Sequence, residues 1–581
     1  MNTATIDQAA IQAVKVPTAV VRRSTATALS ARGEPFMWAL GAALTVGIVM
    51  VIGFLLFVFW NGLVTFVPKP VAVVTLKSGT MVAGEPTRSE FYRLSPDAMR
   101  ALPPAEAEKM ATNGGYGHRT LYRIGNYDLY NEDFRWVPDH VVGNIDYPKD
   151  VIFVERLEWG VFVGRIKSVK IGDRDLASPT PRDPALLAAH EEARARWQTI
   201  RHIERDLIGH VNHDLEALRL DVRHAEIIYG PSSGQAEKAR AAEAAQVPAL
   251  KAEYDRLTAE AARLKSIDQL NAITLADIAG KEKVLPLSNL VRFYPANDLS
   301  FFDKVSIYLS RWGEFLSDEP REANTEGGVL PAIFGTVAMT LLMVLVVAPI
   351  GVITALYLRE YAKQGRLVSI VRISVNNLAG VPSIVYGVFG LGFFAYGIGA
   401  HIDDLFFPER LPAPTFGTGG ILWSALTLAL LTVPVVIVAT EEALAAVPRS
   451  MREGSLACGA SKWQTIKNIV LPRAMPGIMT GIILAMARGA GEVAPLMLVG
   501  VVKLAPTLPF DGYFPYVHLE RSFMHLGFHI YDVGFQSRNS EAGKPMVFVT
   551  TCLLIGVIAF LNLAAIVIRS RLKRRFAGSQ F

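Results

Sequence analysis

Arg488 and Glu492 stand four residues apart inside an apolar run, Ile478–Val502, that is long enough to cross a membrane. On a helix that spacing puts both side chains on one face. An ionisable group within a span costs about 3 kcal/mol on insertion scales, so it marks a pathway or a buried pair. As a pair, the two neutralise each other and hold a bundle together. As a pathway, Arg488 offers a planar guanidinium to an anionic substrate and Glu492 holds it in place. A second segment reads Glu453-Gly454-Ser455-Leu456-Ala457-Cys458-Gly459, then nine residues, then Ile469-Val470-Leu471-Pro472. It is polar, basic and helical in character, and lies between two long apolar runs. Such a loop can dock a soluble partner against a membrane protein.

Other chemistry is not expected. His190, His202, His210, His213 and His224 fall around a helix rather than on one face, apart from the His210/His213 pair, so no metal site is predicted. Cys458 lies in the loop and Cys552 in an apolar run, which allows neither a disulfide framework nor a metal cluster. Residues 61–328 contain no G-x-S-x-G or H-E-x-x-H, and the chain has no G-x-x-x-x-G-K-[ST] to cradle ATP. Neither an enzyme nor a bound cofactor is expected. No basic, aromatic-interleaved patch points to nucleic acid.

The elements that must position these residues are membrane helices. The chain has 581 residues, 51% hydrophobic and 19% charged, with a net charge of only +5. That mixture suits a protein that is part membrane and part soluble. Six runs reach the roughly 20 residues a span needs: Met37–Trp60, about Phe334–Leu358, Val375–Ile398, Gly420–Thr440, Ile478–Val502 and Met546–Ile568. The third opens around Gly380, Pro382 and Gly387, Pro434 interrupts the fourth, and Gly477 and Gly481 form a small-xxx-small pair at the start of the fifth. These are candidates for close helix packing or gating. Lys and Arg gather before span one (Arg22, Arg23, Arg32) and after spans two, four and six, whereas His401–Thr418 carries Arg410 against Asp403, Asp404 and Glu409. By the positive-inside rule both termini and the Glu453 loop are cytoplasmic.

Residues 61–328 are then extracytoplasmic. A strand-rich part, 68–175, precedes two apolar stripes at three- and four-residue steps, Trp197 to Val222 and Val247 to Leu264, broken at Gly230-Pro231. These predict a helical hairpin over 184–266. Phe301, Phe302, Tyr308, Trp312 and Phe315 then suit an interfacial helix at about 299–317.

The spacing E-x5-G-x9-I-x-L-P of the loop resembles the EAA loop of ABC importer permeases, with Gly454 and Ser455 in place of the two alanines. Leu378-Ala379-Gly380-Val381-Pro382-Ser383-Ile384-Val385-Tyr386-Gly387 looks like the PstA-type permease of the phosphate ABC importer. So does Ala487-Arg488-Gly489-Ala490-Gly491-Glu492-Val493-Ala494-Pro495-Leu496, where that family has A-R-A-x-G-E-T-A-P-L and the departures are Gly489 and Val493. The resemblance covers 37–60 and 329–575 and implies a mainly α protein with six helices of the type I importer permease fold. Beside them it places an extracytoplasmic α+β insertion. The expected divisions are a tail 1–36, span 37–60, insertion 61–328, permease domain 329–575 with coupling loop 441–473, and tail 576–581. The implied partners are a second permease, a dimer of cytoplasmic ATPases, an extracytoplasmic phosphate-binding protein, inorganic phosphate and membrane lipid. Glu453, Gly459, Ile469, Leu471 and Pro472 would contact the ATPase, and Arg488 and Glu492 would line the substrate path. The alternatives are a permease for molybdate or tungstate, and a membrane-anchored sensor.

Overall fold

A computed structural model describes residues 36–577 except 101, 103, 105, 106, 109–111, 113, 506, 513, 538 and 539. Most of the N-terminal tail, with Arg22, Arg23 and Arg32, and the last residues of the C-terminal tail lie outside the described residues. Six helices are long and apolar enough to cross a membrane. The first, α1 (Phe36–Val64), keeps apolar side chains such as Leu40, Leu44 and Phe54 exposed, as lipid-facing residues are.

After α1 come strands β1 (Ala72–Leu76), β2 (Met81–Arg93), β3 (Tyr116–Arg123), β4 (Phe134–Pro138), β5 (Val142–Asp146), β6 (Ile152–Arg156), β7 (Val161–Ile171) and β8 (Arg174–Ala177). Helix α2 (Pro184–Arg201) runs through a π-type turn into α3 (Ile208–Tyr229), and α4 (Gly234–Gln269) returns. Gly230, at φ +90°, makes the reversal between them. Ile203 and Val211 pack on Leu257 and Ala261, so the two apolar stripes cover each other. Three strands that the sequence reading did not single out follow the hairpin: β9 (Asn271–Ala276), β10 (Glu282–Pro286) and β11 (Leu290–Pro295). They complete an antiparallel sheet ordered β10-β9-β7-β6-β11, with β8 beside β7; a second sheet is ordered β4-β3-β2-β1-β5, and Pro320–Arg321 pairs with Glu326–Gly327 in a small third one. Leu186, Ala189 and Ala193 of α2 seal one face of the first-named sheet against Phe162, Val169, Ile273 and Leu275.

Helix α5 (Phe301–Ser317) starts at a Ser300/Asp303 capping box. Its aromatic residues divide. Phe301 and Phe302 are exposed, whereas Phe315 is buried and Trp312 meets Phe66 edge-on at 5.1 Å. Arg311 on the same helix reaches buried Glu155 of β6 at 2.8 Å, and Arg292 of β11 closes on the same carboxylate. Burial alone would raise the Glu155 carboxyl, but Arg311 and Arg292 outweigh it and hold it down to about 2, against an ordinary 4.5. A depressed carboxylate contributes stability that is full above about pH 4.5 and is lost as pH falls toward 2; for Glu155 that is on the order of 3 kcal/mol. Glu155→Gln is therefore expected to destabilise the protein by about 3 kcal/mol at neutral pH, because the Arg311 guanidinium loses its carboxylate and Arg292 keeps only Glu314. Thermal unfolding in detergent between pH 7 and pH 3, as working points of about those values, should show a shallower loss of stability for the variant than for wild type.

The remaining elements are α6 (Leu330–Leu356), α7 (Arg366–Leu378), α8 (Ser383–Phe406), α9 (Ile421–Ala445), α10 (Arg449–Ala457), α11 (Lys462–Gly491), α12 (Ala494–Val499), α13 (Leu526–Tyr531) and α14 (Ser540–Ala577). Helix α9 is central: Leu428, Leu431 and Val436 are buried among Met339, Met343 and Val347 of α6 and Ala485 of α11. Thr336, Thr340, Thr427 and Thr432 return their hydroxyls to carbonyls four residues back, so these buried groups need no water.

Two span boundaries differ from those expected. The third span begins at Ser383, not Val375, because Pro382 supplies no amide hydrogen and restrains Val381; residues 366–378 form the separate helix α7. The fifth is Lys462–Gly491 rather than 478–502. It starts early because Ser461 and Gln464 form a capping box, so the polar loop and the apolar span share one helix.

Candidate functional site

The first candidate is a bent helical segment. Helix α10 stops at Ala457, and Gly459 turns the chain at φ +83° before α11 begins. A side chain with a Cβ is strained at that φ. Ser455 and Thr465 hydroxyls join across the bend at 2.9 Å. Glu453 and Gly459 are exposed, while Ile469, Leu471 and Pro472 are half-buried within α11. Anchorage comes from residues the motif does not name: Ile466, Val470 and Ala474 are buried, Val470 and Ala474 in one cluster with Leu444 and Val447. Arg452 donates to the carbonyls of Leu444 (2.8 Å) and Val447 (2.7 Å) and to Glu360 (2.9 Å). In the sequence Arg452 counted only as one of the loop's positive charges. On the outside of the bend Leu456 and Trp463 remain 49% and 56% exposed, an apolar pair on an otherwise basic segment.

The second candidate lies at the other end of α11. Arg488 is in its last turn, but Glu492 is already extended (φ −77°, ψ 139°), so the two do not share a helical face as expected. The reason is Pro495, whose ring excludes the carbonyl four residues back, at Gly491; the chain breaks there and restarts as α12. Arg488 Nε still stands 3.6 Å from Glu492 Oε1, an ion pair too long for a hydrogen bond. Among the described residues Arg488 makes no hydrogen bond, and its side chain is 39% exposed. A guanidinium with its donors unused, steadied by one carboxylate at a helix break, can take up an anion.

The break also brings the two motif runs together. A Cβ on Gly387 of α8 would meet Pro495 Cα at 2.7 Å. Gly387→Val is therefore expected to separate α8 from α12 and cost about 1–3 kcal/mol, read as a lowered unfolding temperature in detergent. Gly477 and Gly481 lie against Ala443 and Ala439 of α9, each at 2.5 Å from a built Cβ. Gly380 and Pro382 sit outside any helix, in the turn between α7 and α8, and nothing crowds Gly380 closer than 3.4 Å.

Residues 347–574 match the family described as "Binding-protein-dependent transport system inner membrane component". The chain is 35% identical over 204 residues to "Probable ABC transporter permease protein YqgH" of Bacillus subtilis (strain 168), covering 34% of this chain and 62% of that one. It is 38% identical over 251 residues to "Phosphate transport system permease protein PstA 1" of Mycobacterium tuberculosis (strain CDC 1551 / Oshkosh), covering 43% of this chain and 73% of that one. Among solved structures, an inward-facing MetNI methionine ABC transporter aligns over 42% of this chain and 95% of that chain, with 19% identity and a TM-score of 0.31. With the family match running across the break at Gly491 and the Gly459 bend, and a PstA relative covered over most of its length, the chain belongs to the PstA-type permeases of binding-protein-dependent transport systems.

Proposed function

We propose that this protein is the membrane-spanning permease subunit of an ATP-driven inorganic phosphate importer. The observation that carries the reading is the 38% identity to a permease named for phosphate transport. The Arg488 guanidinium, ion-paired with Glu492 but making no hydrogen bond among the described residues, suits the cargo, since a fork of N–H groups matches phosphate oxygens. In this reading the chain forms the pathway with a second permease and receives phosphate from an extracytoplasmic binding protein. ATP is hydrolysed by a cytoplasmic ATPase dimer. Leu456 and Trp463, with Glu453 and the Gly459 bend, form the coupling surface seated on one ATPase. Closure of the ATPases then rocks the helix bundles between outward and inward access. The clustering of Lys and Arg supports cytoplasmic termini, a cytoplasmic 441–473 segment, and an extracytoplasmic 61–328 domain.

The test is labelled uptake in cells lacking this chain. Restoring it should restore phosphate uptake, and excess molybdate should not compete. Restored molybdate uptake without phosphate uptake would refute the assignment.

A further inference from the structure

Glu322, Ala323 and Asn324 make one left-handed turn just before α6, at φ +42°, +52° and +74°, and the Thr325 amide closes it on the Glu322 carbonyl at 3.1 Å. Asn accepts that conformation readily, whereas Glu and Ala do so rarely and then as single residues. A run of three persists only where its surroundings over-determine it, and such strain gathers at sites that switch.

Both sides of the turn are held. On the α/β segment, Arg321 donates to the Arg156 carbonyl of β6 at 3.1 Å and pairs with Glu314 of α5. Glu326 pairs with Arg123 of β3, and the Glu322 carboxyl faces the backbone N–H groups of Trp159 and Gly160 between β6 and β7. On the side of the membrane helices, Asn324 is 1% exposed and donates to the Lys503 carbonyl at 3.2 Å and to Asp532 Oδ2 at 3.0 Å. The Lys503 ammonium meets the same Asp532 oxygen at 3.1 Å. Lys503 lies just past α12, the helix that restarts after Arg488 and Glu492, and Asp532 lies just past α13. The turn thus ties the α/β segment to the stretch of chain that continues from the Arg488 site.

We propose that Glu322-Ala323-Asn324 is a strained latch, closed in the arrangement seen here and open in a second arrangement of the pathway helices. The inference rests on the reading that the pathway alternates between two access states. The left-handed residues Glu322 and Ala323 oppose closure, and the hydrogen bonds of Asn324 favour it. Both act on one turn, so a displacement of α12 that lengthens the Asn324 bonds lets the backbone relax. A relaxed turn frees the α/β segment from the chain around Lys503 and Asp532, and the coupling runs equally from that segment back to α12.

Two glycine variants separate strain from bonding. Ala323→Gly takes the left-handed φ freely and keeps the Asn324 bonds; Asn324→Gly keeps the turn and loses them. Hydrogen exchange of the full chain in detergent is read over residues 500–505 and 523–536, with the unfolding temperature confirming that each variant is folded. Ala323→Gly is expected to slow exchange there about threefold by relief of strain. Asn324→Gly is expected to speed it about tenfold. Uptake in cells lacking this chain, with labelled phosphate and labelled molybdate both offered, should fall about threefold in Ala323→Gly, because a latch freed of strain opens less often. A turn that is only structural gains stability from that substitution and transports as wild type does. Unchanged exchange in either variant, or wild-type uptake by Ala323→Gly, overturns the latch. Exchange requires no transported substrate, and uptake is compared with wild type for whichever oxyanion is carried, so the latch and the phosphate assignment fail separately.

Discussion

Gly459→Val is expected to abolish phosphate uptake while leaving the membrane helices assembled. Gly459 holds φ +83°, and no atom lies within 4 Å of a Cβ built there, so the obstacle is the backbone alone. A β-branched residue in that conformation costs about 1–3 kcal/mol, which the bend relieves by opening. Opening it moves Leu456 and Trp463 relative to each other and misfits the surface proposed to seat on the ATPase. Gly454 supplies the control. It too has nothing within 4 Å, but it is inside α10 with no left-handed φ, and Gly454→Ala should gain about 0.5–1 kcal/mol of helix stability. The paired measurement is phosphate uptake together with the amount of ATPase that copurifies. Loss of both in Gly459→Val, and of neither in Gly454→Ala, is the expected pattern. Normal uptake with the valine would remove the bend from the coupling mechanism.

The other large effect is expected at Arg488. Arg488→Lys keeps the charge but not the fork, and should reduce uptake about tenfold to a hundredfold, the loss of one or two charge-assisted hydrogen bonds to the anion. A structural ion pair would also suffer from losing one member. The discriminating variant is therefore Arg488→Met combined with Glu492→Met. A pair that only neutralises itself can be replaced by apolar residues of similar size with little loss. If the guanidinium contacts phosphate, the double variant assembles and does not transport. If it transports at wild-type rates, Arg488 is a packing residue.

Long-period information was well expressed in the sequence. Six apolar runs became six helices, and the two stripes from Trp197 and Val247 became a hairpin, because one-dimensional hydropathy reports which faces avoid water, whether against lipid or against protein. What escaped was set by single residues or by distant partners. The helix break at Gly491 is dictated by Pro495, which lies beyond the residues whose geometry it changes. Strand β9 pairs with β7 across the whole hairpin, Ile273 opposite Val169, and a six-residue strand with a partner that far away leaves little periodic trace. Arg452 shows the same limit within the site. As a letter it is a positive charge in a basic loop; in the fold it is half-buried and satisfied by two carbonyls and Glu360.

The most direct test of the transport assignment is uptake into liposomes by the proposed complex of this chain with a second permease and an ATPase, supplied with a phosphate-binding protein. With ATP present, labelled phosphate should accumulate, and the same preparation carrying Arg488→Lys should accumulate it about tenfold more slowly with unchanged subunit composition. ATP-dependent accumulation of molybdate in place of phosphate, or phosphate transport indifferent to Arg488→Lys, would contradict the account.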